Sequence, residues 1–184
     1  MNRALRNALP SLLVLGALTA CGTAGPTTAT TPPAPSSAPS AQSAAAPAGP
    51  PPVPEPSADG TCPYLASEVV AEANGQLVRD VRLSADEPDP ACFFYADATE
   101  VQLSVWVFHG DAGTAKAVVD RAAPVADSSP ESTPEGWAGG SLVGDGGAVY
   151  AVAKGGDAVV VTSNQKQTVK ARRIAGTVIG NLGL

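Results

Sequence analysis

Residues 23–60 set the first limit on what this 184-residue chain can fold into. They are almost entirely Ala, Pro, Ser, Thr and Gly, and no Asp, Glu, Lys or Arg occurs between Arg6 and Glu55. A segment without large apolar side chains cannot offset the entropy that it loses on ordering, and its prolines favour extended polyproline II geometry. The composition therefore predicts a disordered tether over residues 21–60, with a proline-rich ligand for a partner or a glycosylated stalk as alternatives.

The first 20 residues have the features of an export signal. Arg3 and Arg6 form a short basic start, and the apolar run over residues 9–18 is too short to span a membrane. Cys21 directly follows Leu-Thr-Ala, which is the pattern at which bacterial lipoproteins are cleaved and acylated. We therefore expect residues 1–20 to be a lipoprotein signal peptide and Cys21 to carry the lipid, on the extracytoplasmic face of the cell membrane. The alternative is an ordinary secretory signal with a chance cysteine.

Residues 61–184 are long enough for one domain with its own core. Two cysteines besides Cys21 remain, Cys62 and Cys92, and export to an oxidising compartment predicts a disulfide between them. The alternative is a pair of buried free thiols. Two thiols and the single histidine, His109, are too few soft ligands for a metal centre, so neither a metal nor a cofactor is predicted.

Hydrophobic periodicity predicts an α+β fold for this domain, with an antiparallel sheet covered by about three helices. Short turns between successive strands favour antiparallel pairing, and the helices are expected to cover one face of the sheet. Residues 126–147 are polar and Gly-rich and are predicted to form a long irregular connection. Helices are expected over 67–74, 114–123 and 167–181, and strands over 76–83, 92–96, 101–108, 148–153 and 158–162.

Two tryptophans are candidate ligand contacts, and their burial is left open. The strand over 101–108 alternates, with Val101, Leu103, Val105 and Val107 on one face and Gln102, Ser104, Trp106 and Phe108 on the other. Trp106 is exposed if helices cover only the aliphatic face. Trp137 lies in a Gly-rich stretch and either plugs the sheet or contacts a ligand.

Several short motifs resemble those of an actinobacterial lipoprotein family whose C-terminal secreted domain has no known function. The resemblance extends over residues 61–184 and implies a secreted α+β domain on a lipid-anchored stalk. It implies no activity, ligand or catalytic residue. The motifs are Cys62-Pro63-Tyr64-Leu65, Asn74-Gly75-Gln76, Ala91-Cys92-Phe93-Phe94-Tyr95, Pro134-Glu135-Gly136-Trp137, Gly147-Ala148-Val149-Tyr150-Ala151-Val152, Ser163-Asn164-Gln165 and Asn181-Leu182-Gly183-Leu184.

The sequence offers no recognisable catalytic constellation. His109 stands at a strand end, where a solvated or capping role is usual, and Ser141 lacks the glycine two residues later that a nucleophile elbow needs. Asp86, Glu87 and Asp89 are expected to form a solvated turn. Removal of Arg3 and Arg6 with the presequence leaves 9 basic against 17 acidic residues, a net charge of −8 that disfavours nucleic acid.

These features together predict a lipid-anchored binding or interaction domain in the cell envelope that is not an enzyme. Its expected partners are the membrane, through the N-terminal lipid, and either an envelope protein or a small lipid-like ligand. The alternatives are an accessory subunit of an envelope complex and an envelope hydrolase.

Overall fold

The structure is a computed structural model that describes residues 49–184. The predicted signal peptide, Cys21 and most of the predicted tether lie outside the described residues. The described part contains a single eight-stranded antiparallel sheet with the order β1-β2-β3-β4-β8-β7-β6-β5. The elements are β1 (Ala58–Asp59), α1 (Ser67–Asn74), β2 (Asp80–Leu83), β3 (Cys92–Tyr95), β4 (Val101–His109), α2 (Ala112–Ala122), β5 (Ser129–Ser132), β6 (Ala138–Gly144), β7 (Gly147–Lys154), β8 (Asp157–Ser163) and α3 (Thr168–Leu182).

The helices cover both faces of the sheet, so the expectation that they share one face is wrong. The face that we call the inner face carries Leu103, Val105 and Val107 and packs with α1 and α3 into the main core. The outer face packs against α2, whose Val118 and Val119 are buried against β7 and β8. The strand β4 contributes apolar side chains to the cores on both faces, because successive side chains of a strand point to opposite faces. None of the described helices is long and apolar enough to cross a membrane.

Local signals set the helix ends. Gly75 closes α1 in a left-handed conformation with a φ of 76°, which a glycine adopts without a steric penalty. Asp111 caps α2 by accepting a hydrogen bond from the Thr114 backbone N–H at 2.9 Å. This cap was not recognised in the sequence, and the helix therefore begins at Ala112, two residues before the predicted start.

The predicted irregular connection over residues 126–147 contains two strands, β5 and β6, which is a correction to the sequence analysis. The pattern was hidden because β6 uses glycine where other strands use apolar side chains. A Cβ at Gly139 would lie 2.0 Å from the Ala151 carbonyl oxygen, so close packing against β7 requires a glycine here. Glu131 in β5 pairs with Arg172 in α3 and fixes this edge strand to the inner layer.

A β-bulge at the start of β4 changes the face of the sheet to which its first side chain points. Val101 pairs with Tyr95 and Leu103 with Phe94, so Gln102 is the extra residue between them. As a result Val101 does not share a face with Leu103, as the alternation predicted, but packs with Tyr95 on the outer face. The predicted strand over 76–83 is also shorter, because β2 begins at Asp80.

The predicted disulfide between Cys62 and Cys92 is present and joins the segment before α1 to β3. The ordered domain begins earlier than the predicted boundary at residue 61, since Ala58–Asp59 pairs with β2. The Ser57 backbone N–H also donates to the Leu83 carbonyl at 2.8 Å. Backbone pairing of this kind needs no large apolar side chain, which is why composition placed these residues in the tether.

Candidate functional site

A half-open groove of about 570 Å³ lies on the outer face, between α2 and the strands β6 and β7. Small apolar side chains and glycines form most of its wall, and Lys116 and Asp120 form an ion pair at its rim. Its volume and apolar lining fit the usual range for a small-molecule site. The lining residues are Ala112, Lys116, Val119, Asp120, Ala123, Val125, Ser128, Pro130, Ala138, Gly139, Ala153 and Gly155.

The groove exists because small residues keep the space between helix and sheet open. Gly139 and Ala138 leave the β6 side of the groove without bulk, and a Cβ at the neighbouring Gly140 would meet Ser128 Oγ at 2.6 Å. Val125 is 78% exposed at the mouth. The groove can therefore hold an apolar chain, and the charged side chains that residues 49–184 contribute to its lining are the paired Lys116 and Asp120.

The two candidate tryptophans lie apart from each other and outside this lining. Trp137 is only 2% exposed and packs in the main core, so it plugs the inner face of the sheet. No acceptor among residues 49–184 reaches its Nε1. Trp106 is half-buried on the outer face, with the Arg121 guanidinium 5.4 Å from its ring centre and the Phe108 ring set edge-on to it at 6.3 Å.

Polar side chains at the start of β4 and the end of β8 form a hydrogen-bonded network with Asn74 of α1. The buried Asn74 accepts a hydrogen bond from Ser163 Oγ at 2.7 Å, and its amide nitrogen lies 3.2 Å from both Gln102 Oε1 and Asn164 Oδ1. Gln102 also donates to the Leu77 carbonyl at 2.8 Å. These buried polar groups have partners, which is the state expected of a structural network. The network ties α1 to β4 and β8.

Sequence reasoning missed a charged cluster around His109. Its Nδ1 lies 2.7 Å from Asp157 Oδ1, and its Nε2 lies 2.9 Å from Asp89 Oδ2. Asp157 begins β8, whereas Asp89 belongs to the turn that was expected to be solvated. His109 faces Asp157 across the β4–β8 pairing, which joins strands far apart in the sequence, so the sequence alone does not reveal their contact. Asp89 likewise carries no sequence signal for it.

The cluster favours the charged imidazolium. Burial lowers the pKa of His109, but hydrogen bonds to Asp157 and Asp89 and their negative charges outweigh this, so the pKa is raised above its ordinary value. The Tyr64 hydroxyl interacts electrostatically with the same Asp89 and donates to the Pro90 carbonyl at 2.8 Å. Burial and the charge of Asp89 raise the pKa of Tyr64, so this hydroxyl stays neutral at physiological pH.

We expect His109→Gln to destabilise the protein more at pH 5.5 than at pH 9. A raised folded-state pKa contributes stability that is fully present below the ordinary value of about 6.5 and is lost as the pH rises through the folded value. Because the His109 side chain is 36% exposed and solvent screens its charge, the loss at pH 5.5 should be about 0.5–1 kcal/mol. Urea unfolding at the two pH values measures it.

NMR titration gives the matching control, since His109 is the only histidine in the chain. In Asp157→Asn its pKa should fall towards the ordinary value. An equal loss of stability at both pH values in His109→Gln would contradict a charged histidine between the two carboxylates.

The comparison with known families shows which family the domain belongs to. A family described as "Domain of unknown function (DUF2020)" matches residues 45–184, and the chain belongs to this family. No curated protein matches the sequence.

Proposed function

We propose that this member of the DUF2020 family is a lipid-anchored binding domain on the outer face of the cell membrane, and that its groove holds the apolar part of a small lipid-like ligand. The observation that carries the proposal is the groove itself: about 570 Å³ lined mainly by small apolar residues. Burial of apolar surface is worth about 25 cal/mol per Å², so such a groove gives an apolar chain a favourable place out of water.

The location rests on the N-terminal sequence. The Leu-Thr-Ala-Cys21 pattern behind a short apolar run supports acylation of Cys21 and retention at the membrane. A lipid-anchored domain is kept close to a membrane, whose lipids carry the acyl chains that an apolar groove accepts.

A role in binding agrees better with the His109 cluster than hydrolysis does. Both ring nitrogens of His109 already lie within hydrogen-bond distance of carboxylates. A histidine acting as general base must leave one nitrogen free for the nucleophile, and here that position is taken by Asp89 or Asp157.

The groove is tested by filling it. Ala138 is exposed and lines the groove from β6, so Ala138→Trp should fill the space without disturbing the core. A fluorescent fatty acid should bind the mature chain carrying Cys21→Ala, and Ala138→Trp should weaken that binding by at least about tenfold, or about 1.4 kcal/mol.

The matched control is Ala66→Trp, which places the same side chain at an exposed position outside the groove. It should leave the affinity unchanged. Equal binding by both tryptophan variants, or no binding by the parent chain, would contradict the proposed site.

A further inference from the structure

A proline-rich segment is anchored at both ends on the outer face, beside its aromatic residues. We call residues 50–57 the strap. Five of its eight residues are proline, which restricts it to extended conformations. At its first end Arg121 Nη1 donates to the carbonyls of Pro50 and Pro51. At its last end the Ser57 backbone N–H donates to the Leu83 carbonyl at 2.8 Å, where β1 begins.

The strap spans the outer face from α2 to β2. Six residues at about 3.1 Å each reach about 19 Å in polyproline II geometry, and three strand spacings of about 4.8 Å cover about 14 Å. An extended strap is therefore long enough to cross β4, β3 and β2 at a large angle to the strands. It is held at its two ends, and Val53 in its middle is 62% exposed.

The outer face beside the strap carries a cluster of aromatic side chains. Phe93 and Tyr95 point to the outer face but are only 9% and 4% exposed, and they cluster with the half-buried Trp106. The helix α2 packs chiefly on β6, β7 and β8, so it does not account for their burial. Arg82 stacks on the Tyr95 ring at 4.7 Å and accounts for part of its cover. The strap runs from Arg121, beside Trp106, to Leu83, whose strand partner Cys92 adjoins Phe93, so its path passes next to Phe93.

This arrangement has the chemistry of polyproline recognition. A proline-rich segment offers flat apolar rings and carbonyl acceptors but few N–H donors, so its binding site must provide aromatic surface and donors. Here Phe93 and Trp106 provide the surface. Arg121 provides the donor, and its position over the Trp106 ring holds the guanidinium in place.

We propose that this surface is a binding site for a polyproline II segment, occupied in cis by the strap and able to take a proline-rich segment of a partner protein in its place. The strap itself shows what the surface accepts. Its anchors are hydrogen bonds near the protein surface, and an element held in this way opens at low cost. The family match begins at residue 45, so the strap belongs to the matched domain. The site is separate from the groove and does not depend on the ligand proposed there.

The cis strap competes with a partner, so weakening the strap should strengthen binding in trans. The test uses the mature chain with Cys21→Ala and a synthetic peptide of residues 48–57. Replacing Pro51, Pro52 and Pro54 by Gly loosens the strap without shortening it. By isothermal titration calorimetry, this variant should bind the peptide at least about tenfold more tightly than the chain with the native strap.

The contacts are tested in the loosened background. Arg121→Gln should reduce the affinity at least about tenfold, whereas Arg173→Gln, which removes the same charge from α3, should not. A peptide with alanine in place of every proline should not bind. Failure of the folded, loosened variant to bind, or equal binding of the alanine peptide, would overturn the proposal.

Two further readouts complete the test. If the loosened variant does not fold, an excess of peptide should speed hydrogen exchange of the Ser57 amide in the native-strap chain, and an unchanged rate would overturn the proposal.

Light scattering measures the oligomeric state, and so shows whether the surface is occupied by the strap of a second copy of this chain. A dimer of the native-strap chain that becomes a monomer when the strap is loosened would mean that copies exchange straps, and the proposed partner would be wrong.

Discussion

Removing the disulfide should lower the free energy of unfolding by about 3 to 4 kcal/mol. The bridge joins residues 30 positions apart, and closing a loop of this length in the unfolded chain restricts its entropy by about that amount. Both sulfurs lie in the main core, where Cys62 is 6% and Cys92 is 0% exposed. The suitable variant is Cys62→Ala with Cys92→Ala, because alanine leaves no unpaired polar group in the core.

Urea unfolding of the double variant and its parent, both carrying Cys21→Ala, measures the difference. Adding a reductant should bring the parent close to the double variant and leave the variant itself unchanged. A difference below about 1 kcal/mol would show that the bridge contributes far less than its loop length implies.

Trp137→Ala should destabilise the domain by about 3 to 5 kcal/mol, the usual cost of deleting a large buried aromatic side chain. Trp137 is 2% exposed and packs in the inner core with Tyr150 and Val152. Trp137→Phe should retain most of the stability, because no acceptor among the described residues pairs with Nε1 and no hydrogen bond is lost.

This pair of variants separates a core plug from a ligand contact. By chemical denaturation the parent should be the most stable, Trp137→Phe somewhat less stable and Trp137→Ala the least stable. Trp137→Phe should leave fatty-acid binding at the groove unchanged. If Trp137→Ala were as stable as the parent but lost ligand binding, Trp137 would be a contact residue and its assignment to the core would be wrong.

The parts of the fold that depend on local pattern were predictable. The helix α1 was placed at its observed bounds because apolar spacing and Gly75 mark its face and its end. The β7–β8 hairpin was predicted because two β-rich runs flank a Gly-Gly turn. The disulfide was predictable because only two cysteines remain once Cys21 is assigned to the lipid.

The parts that depend on distant contacts were not predictable. In β6 the glycines that allow close approach to β7 also remove the apolar signal of a strand. The bulge at Gln102 is set by pairing with β3, so alternation alone placed Val101 on the wrong face. The burial of Trp106 could not be decided without knowing that α2 covers the outer face, and that of Trp137 without knowing that it packs into the inner core.

The candidate sites follow the same division. The groove needs α2, β6 and β7 together, and its small residues have no distinctive sequence pattern. The His109 cluster joins residues 20 and 48 positions apart. The strap was predicted to be part of the tether because its composition shows that it cannot form a core of its own. Composition does not show whether such a segment packs on the surface of the rest of the domain.

The most direct test of the proposed function is native mass spectrometry of the protein extracted with detergent from the membranes of the cells that make it. We expect a chain that begins at an acylated Cys21 and carries an additional small apolar ligand, which denaturation releases and which Ala138→Trp no longer retains. An unmodified amino terminus would contradict the lipid anchor, and an acylated chain with no bound ligand would contradict the proposed role of the groove.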